Sequence, residues 1–205
     1  MKDRFNGIDV LVVVANFQQY LGMRVDNIYD LSPRTYLLKL KQSGRDKQMI
    51  LIESGMRVHS TKYSRETPKI PSIFSLKLRK HINNKQITSI KQLGIDRVID
   101  FTFGSGESAY HLIVELHSKG NIILTDYKYT IMTLLRTFLY KNTDTLIATN
   151  HIYPTEDAQQ IQKISIEKLK DSLETADKSL PLKQFLAKFY GIYLAKIFIK
   201  ILRIF

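Results

Sequence analysis

The 205-residue sequence contains no cysteine. A disulfide framework, a thiolate metal site and a thiol nucleophile are therefore excluded. With no cleavable signal pattern at the N-terminus either, a reducing compartment is favoured. G-x-S-x-G and H-E-x-x-H are also missing, so the common serine-hydrolase and zinc-protease arrangements are not written here. Gly104-x-Gly106 is too short for a dinucleotide fingerprint and falls between two extended segments, where it reads as a turn. His111 and His117 could share a face of an extended segment, but no third ligand stands at metal spacing, and no metal or cofactor is expected. A long uninterrupted hydrophobic run is lacking too. The apolar stretch 181–205 is broken by Lys188, Lys196, Lys200 and Arg203, and each would cost about 3 kcal/mol at a bilayer centre. An amphipathic helix fits this stretch better than a membrane span, with a membrane-surface anchor as the rival reading.

Acidic residues are scarce: Lys and Arg number 31 against 19 for Asp and Glu, a net charge of +12. Hydrophobic residues make up 44% and charged residues 24%, the balance of a folded globular chain. Its length allows roughly two-thirds of the unfolded surface to be buried. The positive charge is concentrated. Between Arg57 and Lys91 stand nine basic residues (Arg57, Lys62, Arg65, Lys69, Lys77, Arg79, Lys80, Lys85, Lys91) against the single acid Glu66. Such a field attracts phosphates, but charge alone does not separate a nucleic-acid surface from a solvated face.

Local patterns divide the chain into alternating elements. Asn6 stands three residues before Asp9 and precedes an apolar run, which predicts a capped helix over 7–21; the three valines inside it also suit a strand, and the cap decides for helix. Alternation and turn residues predict strands over 24–30, 35–41, 49–53 and 56–60, with a hairpin turn at Ser54-Gly55. Ser72 is placed to cap a helix over 72–83 in which Phe74, Leu78 and Ile82 share one face and Lys77, Lys80 and His81 the other. A second extended region runs over 87–103, turns at 104–106, returns over 109–116, turns at 119–121 and ends at Thr125. The architecture expected is therefore β-rich and antiparallel. Polar residues from 141 to 180 read as a helical linker, and 181–205 as a basic amphipathic helix that starts a further segment, so the first domain is expected to span residues 1–140.

Three residues stand out near this basic region. Asp9, in the first helical turn, can accept from free backbone N–H groups, a cap worth about 1 kcal/mol. Asp96-Arg97 can form a rim salt bridge worth about 0–1 kcal/mol. The functional alternative is a hydrogen-bonding cluster in which carboxylates accept from base amino groups and the guanidinium donates twice or stacks. Residue chemistry alone does not choose between these.

Longer blocks carry a resemblance. Arg24-Val25-Asp26-Asn27-Ile28-Tyr29-Asp30, Ile52-Glu53-Ser54-Gly55-Met56-Arg57-Val58-His59, Pro71-Ser72-Ile73-Phe74, Gln92-Leu93-Gly94-Ile95-Asp96-Arg97, Phe103-Gly104-Ser105-Gly106-Glu107 and Gly120-Asn121-Ile122-Ile123-Leu124-Thr125-Asp126 stand in order. They closely resemble the NFACT-N domain of the NEMF/RqcH/FbpA family, over residues 1 to about 140. The resemblance implies an α+β fold akin to the β-rich N-terminal domain of formamidopyrimidine-DNA glycosylases, with flanking helices. Lys2 stands where those glycosylases carry a nucleophilic proline, so a binding module and not an enzyme is expected.

The resemblance further implies tRNA as partner, together with the large ribosomal subunit carrying a stalled nascent chain–tRNA. In that family tRNA is recruited for untemplated C-terminal tailing, and eukaryotic members support a listerin-type ubiquitin ligase. The implied location is cytoplasmic, with the nucleus second. It assigns tRNA recognition to Asp9, Asp96 and Arg97, and the clustered positive charge adds an expected nucleic-acid-facing patch of Arg57, Lys77, Arg79 and Lys80. A glycosylase-like nucleic-acid enzyme and a fibronectin-binding-like adhesion protein are the rival classes. The family's later segments do not fit within 205 residues, so a fragment, a truncated gene model or a short paralogue is expected.

Overall fold

A computed structural model describes residues 3–155 apart from 64, 95 and 141–144, together with 171, 174 and 181. The chain divides into two compact units, Met1–Gln159 and Gln160–Phe205. The named helices and strands belong to the first, and the expectations for residues 160–205 lie almost wholly outside the described residues.

Helix α1 spans Gly7–Phe17 and is closed at its start by a reciprocal cap. The Asn6 side chain accepts from Asp9 N at 3.0 Å while Asp9 Oδ2 accepts from Asn6 N at 2.6 Å. Gly7, Val10, Val14 and Phe17, spaced three, four and three residues apart, are the buried positions, while Val12 within the valine run is exposed, so helical spacing and not strand alternation decides which valines face the core.

Strands β1 (Arg24–Ser32), β2 (Thr35–Gln42), β3 (Arg45–Glu53) and β4 (Arg57–Ser60) form an antiparallel sheet in sequence order. Strand β3 begins at Arg45, earlier than the alternation suggests. The Leu40 to Gln48 and Gln42 to Arg45 pairs prolong the ladder, and β3 there carries the exposed Arg45, Asp46 and Lys47, where backbone pairing needs no buried face. Helix α2, Ile73–Ile82, has Ser72 as its cap and buries Leu78 and Ile82, while Phe74 meets Tyr36 edge-on at 5.4 Å.

Strands β5 (Ile87–Gln92), β6 (Val98–Phe103), β7 (Tyr110–Glu115), β8 (Asn121–Asp126) and β9 (Ile131–Leu134) form the second antiparallel sheet. The extended region expected over 87–103 is two strands. Gly94, at φ +57, turns the chain between them, and Leu93 N donates to Val98 O at 3.0 Å to close the loop. A ribbon of β10 (Phe138–Tyr140) and β11 (Thr145–Ile147) follows, so the first unit continues past residue 140.

Gly22 N donates to Ile87 O and Ile87 N to Met23 O, at 2.9 and 2.8 Å, joining the two sheets. Both helices and both sheets share one apolar core. A second cluster of Leu93, Val98, Ile113, Ile123, Ile131, Ile147 and Tyr153 covers the opposite face of the second sheet. Burial on both faces explains why β6 to β8 read as almost unbroken apolar runs. The fold is α+β, an antiparallel β-rich domain with few helices.

Candidate nucleic-acid interface

The three recognition candidates lie at one place, where the start of α1 meets the β5–β6 loop. Gln92, the last residue of β5, donates through Nε2 to the carbonyls of both Gly7 (3.3 Å) and Asp96 (2.8 Å). Arg97 Nη1 reaches the Phe5 carbonyl at 3.4 Å. Its own carbonyl accepts from Leu116 N at 2.7 Å, which fixes the backbone as β6 begins. Phe5 N in turn donates to Met56 O at 2.8 Å, so the β3–β4 turn joins the same end of the fold. Asp96 is exposed and Arg97 half-buried. Asp9 thus has its capping role and also stands at the helix start that carries these contacts.

The expected basic patch divides. Arg57 pairs with Glu53 at 2.9 Å on β4, whereas α2 packs against β1, the opposite edge strand of the sheet. Arg79 is used inside the fold: Nε donates to the Ile28 carbonyl at 2.7 Å and the guanidinium lies 5.5 Å over the Tyr29 ring. Lys85 donates to Ser108 O at 2.7 Å, and Lys91 lies 3.6 Å from Asp100. Lys62, Arg65, Lys69, Lys77 and Lys80 are exposed, along the β4–α2 loop and the outer side of α2. Burial, then the charges of Lys80 and Lys85, push the His81 imidazole below its ordinary 6.5, so at neutral pH the α2 field comes from Lys77, Arg79 and Lys80 and not from His81.

Sequence reasoning missed the polar groups buried on the outer face of the second sheet. Asp100 is fully buried and accepts from the Tyr129 hydroxyl at 2.9 Å, with His111 Nδ1 3.0 Å away and stacked on the Tyr129 ring. Glu115 accepts from the hydroxyls of Tyr140 and Tyr153, both at 3.0 Å. Burial, reinforced by the adjacent carboxylates, raises all three tyrosines, which keeps them as donors. An isolated acid within an apolar run was the available signal. His117 stands apart from His111, its ring 6.3 Å from Tyr140.

The class these features define is a β-rich α+β domain whose polar candidates gather where a helix start meets an inter-strand loop. The chain belongs to the NFACT family, since the model for NFACT N-terminal and middle domains matches residues 6–195. It is 42% identical over 188 residues to the ribosome quality control complex subunit NEMF of Homo sapiens, covering 91% of this chain and 17% of that protein. To the ribosome quality control complex subunit 2 of Schizosaccharomyces pombe it is 43% identical over 143 residues, covering 66% of this chain and 14% of the relative. Among solved structures, the N-terminal part of the fibronectin/fibrinogen-binding protein of Streptococcus suis matches with TM-score 0.74 at 26% identity, covering 94% of this chain and 79% of that one. The N-terminal domain of the fibronectin-binding protein PavA of Streptococcus pneumoniae shares the fold, with TM-score 0.73 at 22% identity over 96% of this chain and 84% of that one.

Proposed function

We propose that this chain is the tRNA-recognising module of a ribosome-associated quality control factor, a binding module and not an enzyme. It engages tRNA at a large ribosomal subunit that holds a stalled nascent chain–tRNA. Recruitment of tRNA for untemplated C-terminal tailing, and support of a listerin-type ligase in a eukaryote, are whole-protein activities to which this module contributes recognition. Its place of action is the cytoplasm.

The observation that carries this reading is the convergence of Asp9, Asp96 and Arg97 on one end of the fold through Gln92 and Arg97, in a chain of net charge +12. Discrimination and attraction fall to different residues. The exposed cations Lys62, Arg65, Lys69, Lys77 and Lys80 attract phosphates without reading bases, and the carboxylates with Arg97 read base edges.

Competition binding of tRNA against an unstructured RNA of equal length, at a series of salt concentrations, tests this. The expected result is selective tRNA binding that weakens steeply as counterions compete. Equal affinity for the two RNAs, or affinity flat in salt, overturns the proposal.

A further inference from the structure

Two carbonyl groups cannot hydrogen-bond to each other, yet the start of α1 and the β5–β6 loop present Gly7 O and Asp96 O toward one point. Joining them requires a group with two donors. Gln92 supplies it, with Nε2 3.3 Å from Gly7 O and 2.8 Å from Asp96 O. A primary amide does this without charge, whereas an ammonium in the same place would put a cation near both acids. The Gln92 backbone is held in register opposite Ile99, so its side chain projects from a fixed base. A second side-chain tie among the described residues, Arg97 Nη1 to Phe5 O at 3.4 Å, is longer and belongs to a recognition residue. When Arg97 turns to RNA, that tie is spent and the one through Gln92 remains.

We propose that Gln92 is a specificity-determining positioning residue: its amide sets the spacing between Asp9 and the Asp96–Arg97 pair, so that a tRNA must satisfy both at once. This rests on the reading of those three residues as the tRNA-recognition site. Gln92 itself touches no RNA. Without its amide each recognition group persists, but the loop is free to shift relative to the helix, and contacts that require a common geometry are no longer made together. The loop remains closed by Leu93 N to Val98 O at 3.0 Å, so the fold does not depend on Gln92.

The test measures preference, as the ratio of affinities for two tRNAs, with the full 205-residue chain. A ratio is insensitive to the fraction of protein folded. Gln92→Met keeps length and removes both donors. It is expected to lower the ratio by roughly fivefold or more, the loss of one base-reading contact, and to shift Tm by only about 2–4 °C. Asp9→Asn and Asp96→Asn should lower the ratio as well. In the Asp9→Asn background, Gln92→Met should have no further effect, because there is no longer a spacing to set. A ratio unchanged in Gln92→Met while Asp9→Asn lowers it overturns the positioning role, and so do fully additive effects in the double variant. A wild-type chain without preference, or a preference that survives both Asp→Asn changes, overturns the recognition reading and the positioning role with it.

Discussion

Gly120 meets Gly55 backbone to backbone: a Cβ on Gly120 would fall inside the space of the Gly55 amide. The β7–β8 and β3–β4 turns touch there, and Arg34 Nη2 clamps both by donating to Ser54 O at 3.0 Å and Lys119 O at 2.8 Å. Gly120 also has φ +72, a left-handed conformation that costs other residues about 1–2 kcal/mol. Gly120→Ala therefore adds a clash to the conformational cost, and a loss of about 2–5 kcal/mol is expected. Gly44 is the control, because at φ +73 nothing lies within 4 Å of its added Cβ. Thermal melts should show Gly120→Ala falling well below Gly44→Ala. Equal Tm values for the two would mean that the turns do not need their close approach.

Neighbouring cations on α2 should separate in the same kind of measurement. Arg79 is committed to the Ile28 carbonyl and the Tyr29 ring, while Lys77 and Lys80 are exposed. Arg79→Ala is expected to cost about 1–2 kcal/mol of stability through the lost charged hydrogen bond and ring contact. Lys at that position should restore little, since an ammonium lacks the planar fork. Lys77→Ala with Lys80→Ala should leave Tm within about 2 °C and reduce the slope of log affinity against log salt by up to about 2. An Arg79→Ala variant of unchanged Tm with the largest loss of RNA affinity would place Arg79 on the phosphate.

Much of the fold was legible because its signals are local. Asn6 with Asp9, Ser72 before an apolar i, i+4 series, and glycine turns between alternating segments each lie within a few residues of what they specify. What escaped was specified at a distance or carried by segments too brief to show a period. Gln92 lies 85 residues from Gly7, and nothing around it marks it as a tie. Arg79 and Lys80 are adjacent and alike in charge, and only the position of β1 beneath the helix decides which one is used internally. Strands β9 to β11 have three or four residues each, too few for alternation to emerge. Asp100 and Glu115 interrupt apolar runs, and their partners Tyr129, Tyr140 and Tyr153 arrive from later loops.

Asp26 gives the fold a defined response to acid. Burial alone would raise its carboxyl, but the ammonium groups of Lys41 and Lys47, each 3.2 Å away, outweigh it and hold the group below its ordinary 3.8. A carboxyl lowered in the folded state is protonated first in the unfolded chain. Its contribution is therefore fully present above 3.8 and is lost as pH falls through the lower folded value. Melts across pH should show wild type more stable than Asp26→Asn near neutrality, with the curves converging in acid and the gap narrowing in high salt. Parallel curves down to the lowest pH would remove Asp26 from the acid response.

Asp9 joins structure and recognition in one carboxylate, and conservative changes can separate them. Its backbone N–H and Oδ2 both take part in the cap with Asn6. Asp9→Ala removes the side-chain half of that cap and should cost about 1 kcal/mol. Asp9→Asn keeps an oxygen able to accept from Asn6 N, and Asp9→Glu restores a carboxylate of the kind that closes capping boxes. Both should melt close to wild type. Their effects on tRNA selection should differ from their effects on stability. Asn loses the charge that favours a base amino group, and Glu carries its carboxylate one methylene farther out, so both should lose preference by roughly 1–3 kcal/mol if Asp9 reads a base edge. Overall RNA affinity should hold or rise in Asp9→Asn, since a negative charge facing a polyanion is gone. Measured together, melting temperature and competition binding distinguish the roles. Wild-type preference in Asp9→Asn and Asp9→Glu, with only Asp9→Ala affected and only in stability, would reduce Asp9 to a helix cap.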